Sequence, residues 1–513
     1  MFRREKSTRK PLQADHSTTL SGGSGAATDN GSPAVATAHA AKLVKDVERL
    51  LAKSDPKGLE LFAKASHEPV NRTSLLPVLP AAVDAASQFS IGSSERLNAL
   101  KGIRNIAKGE QEKDRYGELQ VKAYPLVSKF LVSEVRDEAA DSACKEVAMH
   151  SLRNFARNYV VKPKVFETEG FTSVLFASIK QQGRAGTHDV ALVLLTTLAT
   201  DQQVAEGLTE YFSKEILELV MSLLASSPAK TSTNPLPEDA KVGGGTLIIP
   251  DVVHGIRLTQ NLSQHDSSRL LLASSDKIIH KLSELSRVGN SLSDVDAEMQ
   301  ILMSLANIIG DDESKTDLLQ GGREDGLLRL VGLLENVLNG NEIHFNLETV
   351  LRPLRRLCPP DKNRQAMSPK LTPLMPLALE KALEIDDRAS AELAFRILSQ
   401  LSFDSSNVRS LQANAKISSA LQRIVQLSNS GDSASAAKWV KVARAADVLR
   451  FNLQKKGELL RRASFSRMGS TTLIEQSVSG EVNVSSSAPS NQITKLMISY
   501  QVSSTPIANV ETL

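Results

Sequence analysis

The side chains that most often carry catalysis do not form a catalytic or metal-binding motif in this sequence. Its nine histidines are scattered along the chain, and none stands in an HExxH arrangement. The two cysteines, Cys144 and Cys358, belong to no CxxC motif or Cys/His cluster that could hold zinc. We therefore expect no catalytic residue, no metal and no cofactor, and we predict that the protein is not an enzyme.

Polar residues that could instead bind a partner occur inside a pattern that recurs seven times. Each copy has an apolar residue (once threonine), two mostly polar residues, a second apolar residue, and a small alanine, serine or cysteine. The copies are Ile103 to Ala107, Leu152 to Ala156, Leu195 to Ala199, Thr259 to Ser263, Leu302 to Ala306, Leu354 to Cys358 and Leu398 to Ser402. They recur at intervals of roughly 40–60 residues, a period typical of helical repeat proteins. The pattern therefore predicts an all-α solenoid.

One unit, Leu152-Arg-Asn-Phe-Ala156 followed by Val165-Phe-Glu-Thr-Glu-Gly170-Phe171, resembles the armadillo repeat. In that repeat, a third helix with an LxNLA-like core is followed by a short turn and by an apolar-x-x-x-Gly segment that leads into the next helix. The resemblance covers residues 41–460. It implies an armadillo-type right-handed α-solenoid, with HEAT repeats as the near alternative.

Composition divides the chain into a helical array between two tails. Residues 1–38 are rich in Ser, Thr, Gly and Ala, and residues 461–513 are rich in serine, so both are predicted to be disordered. Within the array, residues 226–245 contain prolines and glycines that break helices. This segment is predicted to be an insertion loop.

The armadillo resemblance also implies a groove lined by third helices, in which an asparagine two positions before the small residue bonds the backbone of an extended peptide. That position holds Asn105, Asn154, Thr197, Asn261, Ser304, Arg356 and Gln400. Arginines at or beside it suit partners that carry carboxylates or phosphates. The predicted partner-binding residues are Arg104, Asn105, Arg153, Asn154, Asn261, Arg355 and Arg356. Because the asparagines occur early, we expect the first half of the array to bind the peptide.

The end of the array resembles the final repeats of eukaryotic armadillo proteins that continue into a TIR-like domain. The resemblance rests on Ile397 to Phe403, on Ala443 to Leu449, and on Lys495 to Gln501, which is similar to the first strand of such a domain. It implies a TIR-like remnant at residues 495–501 without a catalytic glutamate, because the sequence ends at Leu513. The alternative interpretation is a stray apolar segment within a tail.

We predict a scaffold or adaptor that binds protein or peptide partners in its groove. One alternative is the regulatory half of a TIR-type NAD-cleaving signalling protein, and a weaker one is a regulator of small GTPases. The net charge of +3 is close to balance, which argues against a specific nucleic-acid partner. No uninterrupted apolar run is long enough to predict a membrane span. The oligomeric state stays open.

Two short basic motifs bear on regulation and location. Arg461-Arg462-Ala463-Ser464 fits the pattern of basophilic kinases, which makes Ser464 a candidate phosphosite. The basic cluster within the first ten residues is either a nuclear-import signal or an ordinary solvated terminus. The scarcity of cysteine indicates a reducing compartment. We therefore expect a cytoplasmic location, with a nuclear one as the alternative.

Overall fold

The computed structural model of the protein describes residues 33–108, 115–181, 185–226, 250–288, 295–320, 324–342, 345–428 and 433–476. These residues form α-helices joined by short turns, with one 3-10 helix at Leu76–Val78 and no strand. The first helices are α1 Pro33–Leu51, α2 Pro56–His67, α3 Pro69–Arg72, α4 Leu79–Ser87, α5 Ser94–Ala107, α6 Arg115–Arg136, α7 Ser142–Ala156, α8 Lys162–Glu167, α9 Phe171–Lys180, α10 Ala185–Leu198 and α11 Gln202–Ala225. The remaining helices are α12 Pro250–Ser263, α13 Asp266–Ala273, α14 Asp276–Val288, α15 Val295–Ile308, α16 Asp312–Gln320, α17 Glu324–Leu338, α18 Leu347–Leu357, α19 Asp361–Glu384, α20 Arg388–Leu401, α21 Ser405–Ala413, α22 Ala415–Ser428 and α23 Ser433–Gln476.

Local sequence fixes where several of these helices begin. Ser93 accepts a hydrogen bond from the backbone N–H of Arg96 at the start of α5. Asn346 caps α18 and Asp387 caps α20 in the same way. Such a cap satisfies an N–H group that has no partner inside the helix and contributes about 1 kcal/mol. The starts of these helices can therefore be read from the sequence.

Nine helices form a continuous row in which each contacts the next. The row consists of α2, α5, α7, α10, α12, α15, α18, α20 and α23, and we call it the third-helix row. All seven copies of the recurring pattern lie at the C-terminal ends of its members, from α5 to α20. Contacts that link each repeat mainly to its neighbours define a solenoid. This arrangement confirms the predicted all-α solenoid.

The small residues of the pattern are buried within the helical array. All seven, namely Ala107, Ala156, Ala199, Ser263, Ala306, Cys358 and Ser402, are at most 1% exposed. Burial raises the pKa of the Cys358 thiol to about 12, so this cysteine packs as a small apolar residue without reactive thiolate character. The pattern is therefore a packing signal.

The turns inside one repeat also follow the sequence. Gly170 precedes α9 with a φ of 74°, a left-handed conformation that glycine adopts without steric cost. A Cβ at this position would lie 1.5 Å from Nη2 of Arg136. The exposed arginine side chain could move aside, so the left-handed backbone angle is what favours glycine where the sequence predicts a turn into the next helix.

The limits of the described structure differ from the limits that composition suggests. Helix α1 begins at Pro33, within the predicted N-terminal tail, and the helical backbone of α23 continues past residue 460 to Gln476. The side chain of the candidate phosphosite Ser464 lies outside the described residues, as do the TIR-like segment 495–501 and all but the first residue of the insertion loop 226–245.

Candidate functional site

Two of the three predicted groove asparagines bond the protein's own neighbouring repeat. Asn105 Nδ2 donates to Ser66 Oγ at 3.2 Å, and Asn261 Nδ2 donates to the backbone oxygen of Thr196 at 2.9 Å. The side chain of Asn154 is 8% exposed and makes no hydrogen bond within the described part of the chain. The asparagines therefore do not form a uniform row of free amides for a peptide.

Other asparagines link the third-helix row in the same manner, and sequence reasoning missed them. Asn307 Nδ2 donates to Ser263 Oγ at 3.1 Å, joining α15 to α12. Asn452 Nδ2 donates to Ser399 Oγ at 3.0 Å, joining α23 to α20. In both cases a serine of one repeat meets an asparagine of the next. A serine on one helix of the row and an asparagine on the next are the signal in the sequence that could have predicted these bonds, because a buried amide requires a hydrogen-bond partner.

The arginines of the first half lie on the row without a defined anion site. Arg104 on α5 and Arg153 on α7 each have a buried Nε atom without a hydrogen-bond partner among the described residues. Arg104 and Asn105 line an open hollow of about 650 Å³ that also contains Glu60 and Lys64. Lys64 Nζ lies 2.6 Å from Glu60 Oε1. Lys101 and Lys108 add positive charge to the hollow and Glu68 adds a second carboxylate, so its four cations are only partly offset.

A more strongly charged cleft lies in the second half of the solenoid. Its volume is about 490 Å³. It is lined by six cationic side chains from α13, α16, α18, α20 and α23, together with a small apolar wall. The cations are Arg269, Lys315, Arg355, Arg356, Arg396 and Arg444, and the wall is Ile309, Pro359, Ala445 and Val448. We call this feature the basic cleft.

Only part of the positive charge in the basic cleft is paired. Arg356 Nη2 lies 3.0 Å from Asp266 Oδ1, and Arg269 Nε lies 3.5 Å from the same oxygen. Lys315 pairs with Asp312 at 3.2 Å, and Arg396 pairs with Glu392 at 2.5 Å. Arg355 and Arg444 have no carboxylate partner among the residues that the structure describes.

The electrostatics of the cleft favour an anion. Burial, and then the charge of Arg396, lower the pKa of Arg355. Burial and Arg269 likewise lower the pKa of Arg356, although Asp266 opposes the change. Guanidinium groups remain charged at neutral pH, so these shifts report a cost of holding several cations together in a partly desolvated place. An anionic ligand would relieve that cost.

The structure brings together only part of the predicted site. Arg355 and Arg356 line the basic cleft, and Arg104 and Asn105 line the first-half hollow. Arg153, Asn154 and Asn261 line neither of them.

Sequence reasoning also missed four of the six cations: Arg269, Lys315, Arg396 and Arg444. Arg269 and Lys315 lie on α13 and α16, outside the third-helix row. Arg396 lies on α20, two residues before the copy of the pattern that begins at Leu398. A search for basic residues on successive helices would have found Arg396 and Arg444, because both belong to the row.

A second group of side chains has donors suited to a metal ion. His188, Asp189 and Asp251 each contribute one possible ligand atom, and these three atoms lie within 4.8 Å of one another. His188 Nδ1 is 2.8 Å from the backbone oxygen of Ile179, which would fix the tautomer that leaves Nε2 free to bind a metal. Asp189 is exposed, and three donors fall short of the four ligands of a structural zinc site. The sequence did not predict this cluster.

No protein-family model and no curated protein matches this chain. Among solved structures, a crystal structure of an engineered protein is 14% identical to this chain. The match covers 81% of this chain and 98% of the engineered chain, with a TM-score of 0.42. A second solved structure is described as showing that a conserved phosphorylation switch controls the interaction between cadherin and beta-catenin. It is 13% identical to this chain, the match covers 83% of this chain and 80% of that one, and the TM-score is 0.43. None of the described helices is long and apolar enough to cross a membrane.

Proposed function

We propose that this protein is a non-enzymatic scaffold that binds acidic, extended segments of protein partners along its third-helix row. The observation that carries the proposal is the basic cleft, where six cations face three neighbouring carboxylates. The cleft crosses three successive members of the row, α18, α20 and α23. Its main recognition groups are therefore held on rigid helices.

The lining residues have the chemistry that an acidic segment needs. The planar guanidinium groups can bind carboxylates through two parallel hydrogen bonds. Gln400 lines the same cleft and offers its side-chain amide to a peptide backbone. The apolar wall offers a surface on which an apolar side chain of the segment can pack. An extended polypeptide supplies all three kinds of partner group.

The other functional hypotheses gain no such support. The TIR-type alternative depends on residues 495–501, which lie outside the described residues. Among the residues that the structure describes, no side chain or cavity favours the small-GTPase alternative over general partner binding. Both remain hypotheses about this chain, and the scaffold is the function that the geometry supports best.

A site-specific photo-crosslinker tests the proposal in cells that express the full chain. It is placed at Gln400, inside the basic cleft, and for comparison at Ser419, an exposed position on α22 outside it. We expect discrete protein adducts from Gln400 that are absent from Ser419. We also expect those adducts to disappear when Arg355→Glu and Arg396→Glu are combined. Adducts that survive the double charge reversal would contradict the proposal.

A further inference from the structure

Two cations of the basic cleft are free to bind a ligand without first breaking an ion pair. Arg355 lies on α18 and Arg444 on α23, and both line the cleft. Neither has a hydrogen-bond or carboxylate partner in the described ranges of the chain. The other four cations each have a carboxylate within 3.5 Å. Arg355 and Arg444 are therefore the groups available to a new anion.

The charge balance of the cleft exceeds what one carboxylate can neutralise. Six cations and three paired carboxylates leave an excess of three positive charges. A carboxylate carries one negative charge, whereas a phosphomonoester carries about 1.5 to 2 and has three strong acceptor oxygens. The phosphomonoester can accept hydrogen bonds from more than one guanidinium group at once. It is therefore the better match for Arg355 and Arg444 together.

The acidic residues around the cleft argue against a nucleic-acid strand. The side chains of Asp266 and Asp312 are 81% and 64% exposed. A nucleic acid would carry its repeated phosphates past these carboxylates, and the like charges would repel one another. A single phosphate within a polypeptide places its charge at one point of the cleft and avoids that repulsion. The surroundings of the cleft therefore favour an isolated dianion.

The apolar wall indicates what lies beside the phosphate. Val448 lines the cleft one helical turn after Arg444 and is 53% exposed. Phe451 follows three residues later on α23 and is 58% exposed. Residues at these spacings lie on one side of a helix. A ligand with its phosphate on Arg444 can therefore cover Val448 and Phe451 with a neighbouring apolar side chain.

We propose that the basic cleft binds a phosphorylated serine or threonine within an extended segment of a partner protein. Arg355 and Arg444 contact the phosphate, and an apolar side chain next to the phosphorylated residue packs on Val448. The proposal rests on the proposed scaffold function and names the chemistry of its partner. It requires that a phosphopeptide binds more tightly than the same peptide without phosphate.

Peptide libraries test this directly with the purified full-length protein. One library of short peptides has phosphoserine fixed at its centre, and two matched libraries have serine or glutamate there. We expect the phosphoserine library to bind at least about tenfold more tightly than either control, because the phosphate brings more charge and more acceptors. We also expect selection of apolar residues beside the phosphoserine.

Variants assign the binding to the cleft. Arg355→Ala and Arg444→Ala should each lower the phosphopeptide affinity by about tenfold or more, because each removes a charge-assisted contact. Arg423→Ala is the matched control, since Arg423 is exposed on α22 outside the cleft, and it should leave the affinity unchanged. Thermal unfolding of each variant shows whether the fold is retained. If Arg355→Ala or Arg444→Ala unfolds, the lysine variant at the same position replaces it, because lysine keeps the charge but loses the planar fork.

Three outcomes would overturn the phosphate proposal. Equal binding of the glutamate and phosphoserine libraries would leave the scaffold function intact and exclude selective phosphate recognition. Single-stranded RNA or inorganic phosphate could bind as tightly as the phosphopeptides. If Arg355→Ala then weakened that binding, the cleft would be assigned to that anion. Absence of binding by every library would also overturn it, whereas the scaffold function is decided separately by the Gln400 crosslinks and their response to the double charge reversal.

Discussion

Arg356 Nη2 and Asp266 Oδ1 lie 3.0 Å apart although the two residues are 90 positions apart in the sequence. The pair joins α18 to the start of α13 at the edge of the basic cleft. Burial raises the pKa of the Asp266 carboxyl, but the hydrogen bond and charge of Arg356, with Arg269, outweigh it and lower the pKa overall. Asp266 therefore stays ionised and holds two arginines in position.

Asp266→Asn should strengthen the binding of acidic or phosphorylated peptides several-fold. The change removes the carboxylate that neutralises Arg356 and Arg269, so the cleft becomes more positive. Because the Asp266 side chain is 81% exposed, its loss should change the free energy of unfolding by less than about 1 kcal/mol. Calorimetric titration at low and high salt measures the effect, which should shrink at high salt. Weaker binding at low salt would contradict the role assigned to the cleft.

Arg96→Ala should destabilise the first half of the solenoid by about 3–5 kcal/mol at neutral pH, because it leaves the buried carboxylate of Glu134 unpaired. Glu134 is 0% exposed, and Arg96 Nη1 donates to its Oε1. Burial raises the pKa of Glu134 even though Arg96 pulls it down. Without Arg96 the folded state takes up a proton more readily than the unfolded state, so the loss should shrink as the pH falls.

Denaturant unfolding across a pH series checks this prediction. Combining Arg96→Ala with Glu134→Gln is the control, because the glutamine keeps the shape and removes the charge. The double variant should lose less stability than the single one and show little dependence on pH. It should still lose some, since Arg96 Nε also donates to the backbone oxygen of Phe89 at 3.0 Å. Identical pH profiles for the two variants would count against a buried ion pair.

Asn105→Ala and Asn154→Ala should differ in their effect on stability. Asn105 is 6% exposed and donates to Ser66 Oγ, so its loss should cost about 1–2 kcal/mol. Asn154 makes no hydrogen bond to another described residue, and its substitution should cost less than about 1 kcal/mol. Denaturant unfolding of the two variants provides the comparison. Equal losses would show that the bond between repeats contributes nothing.

Two half-buried histidines should make the protein less stable as the pH falls below about 6.5, the ordinary histidine pKa. Burial lowers the pKa of both His254 and His265. Between the ordinary and the lowered pKa, the unfolded chain binds protons that the folded chain does not, so acid favours unfolding. The double variant His254→Gln with His265→Gln should flatten this decline in a denaturant series. His67→Gln, at a 79% exposed side chain, is the control and should leave the slope unchanged.

Two helical glycines should respond in opposite ways to alanine. A Cβ at Gly102 would lie 2.2 Å from Cε1 of Phe62, whose ring is 0% exposed. Gly102→Ala should therefore destabilise the protein by about 1–3 kcal/mol through overpacking. Gly332, in α17, has no described atom within 4 Å of its Cβ position, so Gly332→Ala should stabilise by about 0.5–1 kcal/mol. Melting temperatures that shift in the same direction would contradict this contrast.

The sequence alone determined the repeat architecture, because that information is local. The recurring pattern placed seven members of the third-helix row, and a residue such as Gly170 marked a turn whose left-handed backbone favours glycine. Helical periodicity, small residues and caps act over a few positions along the chain, so they can be read without a fold. The same is true of the thiol of Cys358, which stood inside an apolar pattern and proved to be fully buried.

The tertiary structure decided which polar residues meet. Asn105 matches the armadillo position for peptide binding, yet its amide bonds Ser66, 39 positions earlier. Arg269 and Arg444 gave no signal in the repeat pattern, yet they line one cleft with Arg355. The physical reason is that a solenoid brings residues of successive repeats together through the stacking of helices, so charge accumulates across the chain and not along it. The sequence defined the scaffold, and only the packing of its helices defined the basic cleft.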